Sequence, residues 1–364
     1  MQRLLIDTPE LLLEHTERWR ACPWLALDTE FMREETYYPQ LCLVQVSDGR
    51  DAHCVDALAL KGEPVLAFMN SLAAPTITKV FHAASQDLEI FVQLAGDCPR
   101  PLFDTQQAAA MLGDGDQLGY AGLVEKRLGV TLDKSLTRAN WARRPLSDAE
   151  LAYAADDVRW LAQLYPMLLE ELQARDRLRW LLEDSARLGE AERYRIQPAD
   201  AWKRLKGIVR LAPAAQGAAM ALADWRERMA QSGNRPRKWI VDDDVIYRLA
   251  ERRPQSMAQL ENLGLLAPKT LARHGEALLE LLTGPPVGAP MTADAPLTDV
   301  QKAVLKKLQE ALLALAGSLG IPPSLLAPRA DIEAVVRSGR AANVPLLRGW
   351  RAEVAEEVLA GLPE

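Results

Sequence analysis

Pro23-Trp-Leu-Ala-Leu-Asp-Thr-Glu-Phe31 is a short apolar run that closes on two carboxylates. Such a run is the pattern of a buried strand reaching the edge of its sheet. Strand side chains alternate between faces, so Asp28 and Glu30 project from the same side, close enough to share one cation. Working outward, residues 41–47, the turn at Asp48-Gly49 and residues 52–56 read as a hairpin, which makes the sheet mixed rather than fully parallel. Residues 77–82 form another short strand, and Thr8 with Pro9 opens a first helix. Strands and helices alternate up to about residue 170, the pattern of an α/β fold.

Two further acidic clusters follow in order. His82-Ala-Ala-Ser-Gln-Asp87 comes directly after a strand, and Ser85 is placed to cap the helix that follows, which puts Asp87 in its first turn. Ser147-Asp-Ala-Glu150 has capping-box spacing, and the helix it opens carries Tyr153 and Asp157 at i and i+4, on one face. Asp156 lies about 100° round that helix and reads as a solvated neighbour. Each fragment alone has an ordinary structural explanation, as a polar strand end, a strand-end histidine or a surface hydrogen bond. Brought together, four carboxylates would repel by several kcal/mol unless cations neutralised them.

The candidate donors are all hard oxygens, and no cysteine or histidine pair has zinc spacing, which favours magnesium or manganese. Two such ions roughly 3.5–4 Å apart can activate a water and hold both the attacking and the leaving oxygen of a phosphodiester displacement. A tyrosine has a reference pKa of about 10, so Tyr153 is a poor bulk base and is expected to orient the water instead.

In this order and with a tyrosine four residues before the last aspartate, the clusters resemble the tyrosine branch of the DEDD 3′-to-5′ exonucleases. Leu27-Asp-Thr-Glu-Phe31, Phe81-His-Ala-Ala-Ser-Gln-Asp87, and Trp141-Ala-Arg-Arg-Pro-Leu146 followed by Tyr153-Ala-Ala-Asp-Asp157 are similar, within that branch, to the ribonuclease D family. The resemblance runs over essentially the whole chain. It implies a ribonuclease H-like sheet, Asp28, Glu30, Asp87 and Asp157 as ligands of two divalent metal ions, and Tyr153 as the residue that positions the nucleophilic water. All these acids are present.

Residues beside the acids fit a nucleic-acid end. Trp141, Arg143 and Arg144 join a flat stacking surface to two cations, which can stack a base and grip phosphates, or can equally cover the core. Phe31, His82 and Gln86 are further candidates for contact with the terminal nucleotide, Phe31 being equally suited to the core. Net charge is −7, yet from Trp202 to Arg253 twelve Lys and Arg stand against six Asp and Glu. Basic charge is thus concentrated beyond the acidic clusters, with Trp202 beside Lys203-Arg204 and Trp239 beside Arg235, Arg237 and Lys238, the association of cations and aromatics used on nucleic-acid surfaces.

A chain of 364 residues with 49% hydrophobic content can build two or three domains. Expected boundaries are 1–175 for the nuclease domain, 176–209 for a helical connector, and 210–286 and 295–364 for two helical units related by a diverged repeat. A Gly- and Pro-rich linker at residues 283–292 separates the two units. Both resemble the HRDC domain; the second lacks the Arg-Pro-Arg-Lys-Trp stretch of the first and is expected to dock or enclose rather than contact RNA. One long helix is expected from Glu150 through Leu182, punctuated by Pro166. Cys22, Cys42, Cys54 and Cys98 read as reduced packing thiols. No signal peptide or membrane-length apolar run is evident, which points to the cytoplasm.

The expected activity is a metal-dependent 3′-to-5′ exoribonuclease trimming structured RNA, with precursor tRNA the substrate the resemblance implies and no protein partner evident. A DNA exonuclease of repair type stays open, because the metal site acts on the phosphodiester and not the sugar. So does a non-catalytic RNA-binding module with structural acids.

Overall fold

Strands Leu5–Ile6 (β1), Trp24–Met32 (β2), Gln40–Ser47 (β3), Ala52–Asp56 (β4), Thr78–Phe81 (β5) and Leu102–Asp104 (β6) form one sheet in the order β1-β4-β3-β2-β5-β6. The structure is a computed structural model that describes residues 5–360 except 134, 137, 138, 286 and 293. Residue 286 of the expected linker and the extreme ends of the expected first and last domains therefore lie outside the described residues. β3 and β4 pair antiparallel, with Val44 opposite Val55, as the hairpin pattern predicts. Asp48 builds their turn by accepting the amides of Arg50 and Asp51 at 3.0 and 3.1 Å. β2, β5 and β6 run parallel, so their carboxyl ends meet at one rim, the usual place for a ligand site in such sheets.

β2 is central because Leu25, Ala26 and Leu27 are buried in succession, on both faces. Beside it β5 carries Lys79, fully buried, whose ammonium donates to the carbonyls of Ala74 (2.8 Å), Ile77 (2.7 Å) and Arg100 (2.5 Å). Lys79→Met should remove the ammonium from all three carbonyls, that of Ala74 keeping the Ile77 amide at 3.3 Å, and cost about 3 kcal/mol, at about 1–3 kcal/mol for each unsatisfied buried group. Urea unfolding would read this as a lowered midpoint; an unchanged midpoint would mean the carbonyls find other donors.

The helices that matter here are Pro9–Trp19 (α1), Ser85–Ala95 (α2), Thr105–Leu112 (α3), Tyr120–Leu128 (α4), Asp148–Ala174 (α5), Leu178–Leu188 (α6), Pro213–Ser232 (α7) and Asp299–Leu319 (α8). Thr8 caps α1 through the Leu11 amide, and the Ser147–Glu150 capping box opens α5, both as predicted. Ser85 does not cap α2: Ala84 holds the cap position and Ser85 is the first helical residue. The single long helix is two. α5 passes through Pro166 and stops after Ala174, where Asp176 takes φ +55° and the Arg177 amide returns to Leu172 at 2.8 Å, a Schellman ending with aspartate where glycine is usual.

The chain divides into two compact units, neither contiguous in sequence. The first contains residues 1–32, 41–194 and 296–364. From the expected second helical unit, α8 contributes Leu305, Leu308 and Leu312 to the same core as Ala109, Leu161 and Trp180. Trp350 stacks on Trp180 at 4.5 Å, and Arg351 donates two bonds, 2.7 and 2.8 Å, to the buried carboxylate of Asp184 on α6.

The second unit joins residues 195–295 to the segment 33–40. Tyr37, 4% exposed, donates its hydroxyl to the buried Glu227 of α7. Arg237 clamps the same carboxylate at 2.6 and 2.7 Å and donates to the Tyr37 oxygen at 3.0 Å. Asn234 accepts the amides of Tyr37 and Tyr38 at 3.1 and 3.0 Å. These bonds hold 33–40 within the second unit, while β2 before it and β3 from Leu41 onward belong to the first. All four cysteines are free thiols, and among the described residues no helix is long and apolar enough to cross a membrane.

Candidate active site

Asp28 and Glu30 leave the same face of β2 just beyond its pairing with β5, where Ala26 is opposite Val80. Asp157, two turns into α5, meets them there. One carboxylate oxygen from each of the three lies within 4.8 Å of the others. Asp87 sits in the first turn of α2, 6% exposed, and accepts a 2.6 Å bond from Thr29, the residue between the two β2 acids. It stands outside the tight group of three, close enough to act on Asp28 and Glu30 through its charge.

The turn that presents Asp87 is held by a residue that sequence inspection missed. Asp104, at the end of β6, accepts the amides of Ala83 (3.2 Å) and Ala84 (3.0 Å) as well as those of Gln106 and Gln107 (2.8 and 3.3 Å) at the start of α3. It thereby fixes Ala83 at φ +57°, a left-handed conformation costing about 1–2 kcal/mol for a residue with a Cβ. The available signal was Leu-Phe-Asp-Thr105, an aspartate between an apolar pair and a helix start.

Tyr153 borders a cleft of about 860 Å³ that Asp156, Asp157, Gly119, Tyr120 and Leu136 also line. Trp141 is not a stacking surface: it is 2% exposed, and its ring lies 6.1 Å from that of Tyr153, backing it from the core. Arg144 is likewise engaged inside, gripping the buried Asp56 at 2.7 and 2.8 Å and the Cys42 carbonyl at 3.0 Å. Arg143 stays exposed while bonding Glu150, the capping-box acid. Asp156 pairs with Arg159 at the surface.

The electrostatics of the cluster are those of a cation site. Burial, with the charges of Asp157 and Asp87, pushes the Glu30 carboxyl up to about 8. Burial, with Asp156, raises Asp157 to about 7. Burial also raises Asp87 to about 7, against the opposing Thr29 bond. Asp28 rises well above the carboxylate range through burial and its neighbours Asp87, Asp157 and Glu30. Carboxylates crowded at this cost, with oxygen donors only, fit a hard divalent cation.

Residues 4–173 match the family described as 3′-5′ exonuclease, and residues 215–282 match the HRDC domain. The chain is 41% identical over 358 residues to the ribonuclease D of Acidiphilium cryptum, covering 96% of this chain and 90% of that one. It is 37% identical to that of Pseudomonas paraeruginosa, covering 94% and 92%. The chain belongs to the ribonuclease D family. The crystal structure of Escherichia coli RNase D, an exoribonuclease involved in structured RNA processing, superposes with a TM-score of 0.87 at 33% identity, over 99% of this chain and 98% of that one. This ribonuclease D-family chain is accordingly a divalent-metal-dependent 3′-to-5′ exoribonuclease.

The remaining contact candidates of the ribonuclease D-family chain separate by exposure. Gln86 is exposed, and Phe31 and His82 are half-buried, Phe31 packed against the sheet core. In the helical unit Arg235, Lys238 and Trp239 are exposed, the tryptophan by 56%. Arg237 is not a surface cation; it is spent on Glu227 and Tyr37.

Proposed function

We propose that this enzyme trims the 3′ ends of precursor tRNA and other small structured RNAs in the cytoplasm, releasing 5′-mononucleotides one at a time. The observation that carries it is the group Asp28, Glu30 and Asp157, with Asp87 beside it and Asp157 also lining the cleft. The processing of structured RNA described for the Escherichia coli relative supports the substrate class.

Asp28, Glu30, Asp87 and Asp157 would hold two magnesium or manganese ions. Bound there, the ions would supply acidity to a water and neutralise charge on the phosphate and leaving oxygen. In the hydrolysis a water oxygen bonds to phosphorus, the bond from phosphorus to the upstream 3′ oxygen breaks, and that oxygen takes up a proton. Tyr153, braced by Trp141 and facing the cleft, orients the water through its hydroxyl. Tyr153→Phe should therefore lower kcat about 10²-fold with little change in KM, the lower range for a positioned proton-handling group; a normal kcat would remove Tyr153 from the chemistry.

Phe31, His82 and Gln86 are assigned to the terminal nucleotides and Arg143 to a phosphate. Arg235, Lys238 and Trp239 on the HRDC-type unit, whose extent we place at 210–286, would hold the RNA body.

The test uses 5′-labelled precursor tRNA with a 3′ trailer, beside single-stranded RNA and DNA of one sequence, with magnesium or manganese. A ladder shortening by single nucleotides that stops near the mature 3′ end supports the proposal. Preference for DNA, or indifference to the folded tRNA body, would overturn the substrate assignment.

A further inference from the structure

Tyr120 opens α4, and its hydroxyl reaches the backbone of α5 at the active-site aspartates. It donates to the carbonyl of Asp157, with that of Asp156 at 3.2 Å. The amide of Leu161 points at the same hydroxyl. Asp157 and Leu161 are the acceptor and donor that a regular helix joins directly. A side chain at such a link is one of the few ways to bend a helix, and a proline is another. Five residues on, Pro166 lacks the N–H that the Ala162 carbonyl would take.

The other side of the Tyr120 ring rests on the end of β5. Its centroid lies 5.5 Å from that of His82, edge-on. His82 Nδ1 is 3.0 Å from the Thr105 hydroxyl, which donates to the Phe81 carbonyl at 3.0 Å. A continuous set of contacts thus runs from the β5 rim, through His82 and Tyr120, to the peptide of Asp157. α5 brings Asp157 to acids that belong to β2, so its carboxylate is placed only as well as the α5 backbone at Asp157 itself is held against the sheet.

We propose that Tyr120 is a positioning residue that aims Asp157 at Asp28 and Glu30, acting through the α5 backbone rather than on substrate. This rests on Asp157 being a metal ligand. Tyr120→Phe keeps the ring and removes the hydroxyl. Tyr165→Phe is the control: it removes another buried hydroxyl from α5, one bonded to Thr78 at the start of β5.

Both variants, Asp157→Asn and the wild type would be compared for kcat and KM on single-stranded RNA, and for Mn²⁺ binding without substrate by electron paramagnetic resonance. Tyr120→Phe should lose about 10–100-fold in Mn²⁺ affinity and in kcat, the range for groups that orient metal ligands, with KM within about 2-fold. Tyr165→Phe should match the wild type. Wild-type Mn²⁺ binding by Tyr120→Phe would overturn the proposal. So would a raised KM at constant kcat, which would make Tyr120 a substrate contact, or an equal loss in Tyr165→Phe, which would make the effect generic. If Tyr120→Phe does not fold by circular dichroism, His82→Leu, which removes the ring's support and keeps the hydroxyl, must weaken Mn²⁺ binding or the proposal fails. Full activity of Asp157→Asn would sink the ligand assignment itself, whereas an inactive Asp157→Asn beside a normal Tyr120→Phe sinks only the positioning role.

Discussion

Asp157→Asn should lower kcat on single-stranded RNA by about 10³-fold or more, equivalent to about 4 kcal/mol of transition-state stabilisation, with KM changed little. The amide keeps the shape of the side chain and removes the charge that would hold a cation against Asp28 and Glu30. The same substitution should stabilise the metal-free protein. Asp157 raises the carboxyl pKa of both β2 acids, so deleting its charge relieves repulsion that folding otherwise has to overcome. Melting of the metal-free variant at about pH 8 should rise by about 2–4 °C for each kcal/mol relieved, the scale for domains of 150–250 residues. Inactivity with a lowered Tm would instead mean that Asp157 holds the fold together.

The second large effect is a pH-dependent response to metal. Glu30, Asp87 and Asp157 have folded-state values of about 8, 7 and 7, raised from 4.5, 3.8 and 3.8. Between the unfolded and folded values the folded chain binds more protons than the unfolded one, so stability contributed by these groups is full below about pH 4 and is lost as pH rises through 7 to 8. A divalent cation binds the deprotonated form and replaces the protons. Magnesium at millimolar concentration should therefore raise Tm more at about pH 8 than at about pH 5.5, and activity should climb across the same interval. Melting curves with and without magnesium at the two pH values check this; an equal rise at both would show that the acids do not exchange protons for metal.

The parts of the fold set by local periodicity were legible from the residues. Asp28 and Glu30 share a face because side chains two apart in an unbulged strand point the same way, and the β3–β4 hairpin followed from its Asp-Gly turn. The Ser147–Glu150 box was readable because both partners lie within one turn. Features built from distant partners were not. β6 has three residues, too few to show a period, so the capping role of Asp104 across two helix starts stayed hidden. Trp141 and Arg144 looked like a surface pair because nothing nearby in sequence announces Tyr153 as a ring neighbour or Asp56, 88 positions away, as a counter-ion. α5 ended unseen because aspartate, not glycine, takes the left-handed position at 176. The surface on which α8 packs was not legible for a similar reason: an amphipathic helix shows that it has a partner without showing which one.

The clasp of Tyr37 by Glu227 spans 190 positions of chain, and its consequence is one of timing. At ribosomal rates of about 5–20 residues per second, roughly 10–40 s separate the synthesis of the two residues. Asp184 waits for Arg351, 167 positions later. The emerging polypeptide thus carries the two acids of β2 from its first moments, yet the helical unit has no closing partner for Tyr37 until α7 is made, and the nuclease core lacks Trp350 until translation is almost over. Assembly of the nuclease unit is deferred to the end of synthesis, and a ribosome that stalls before α7 leaves neither unit complete.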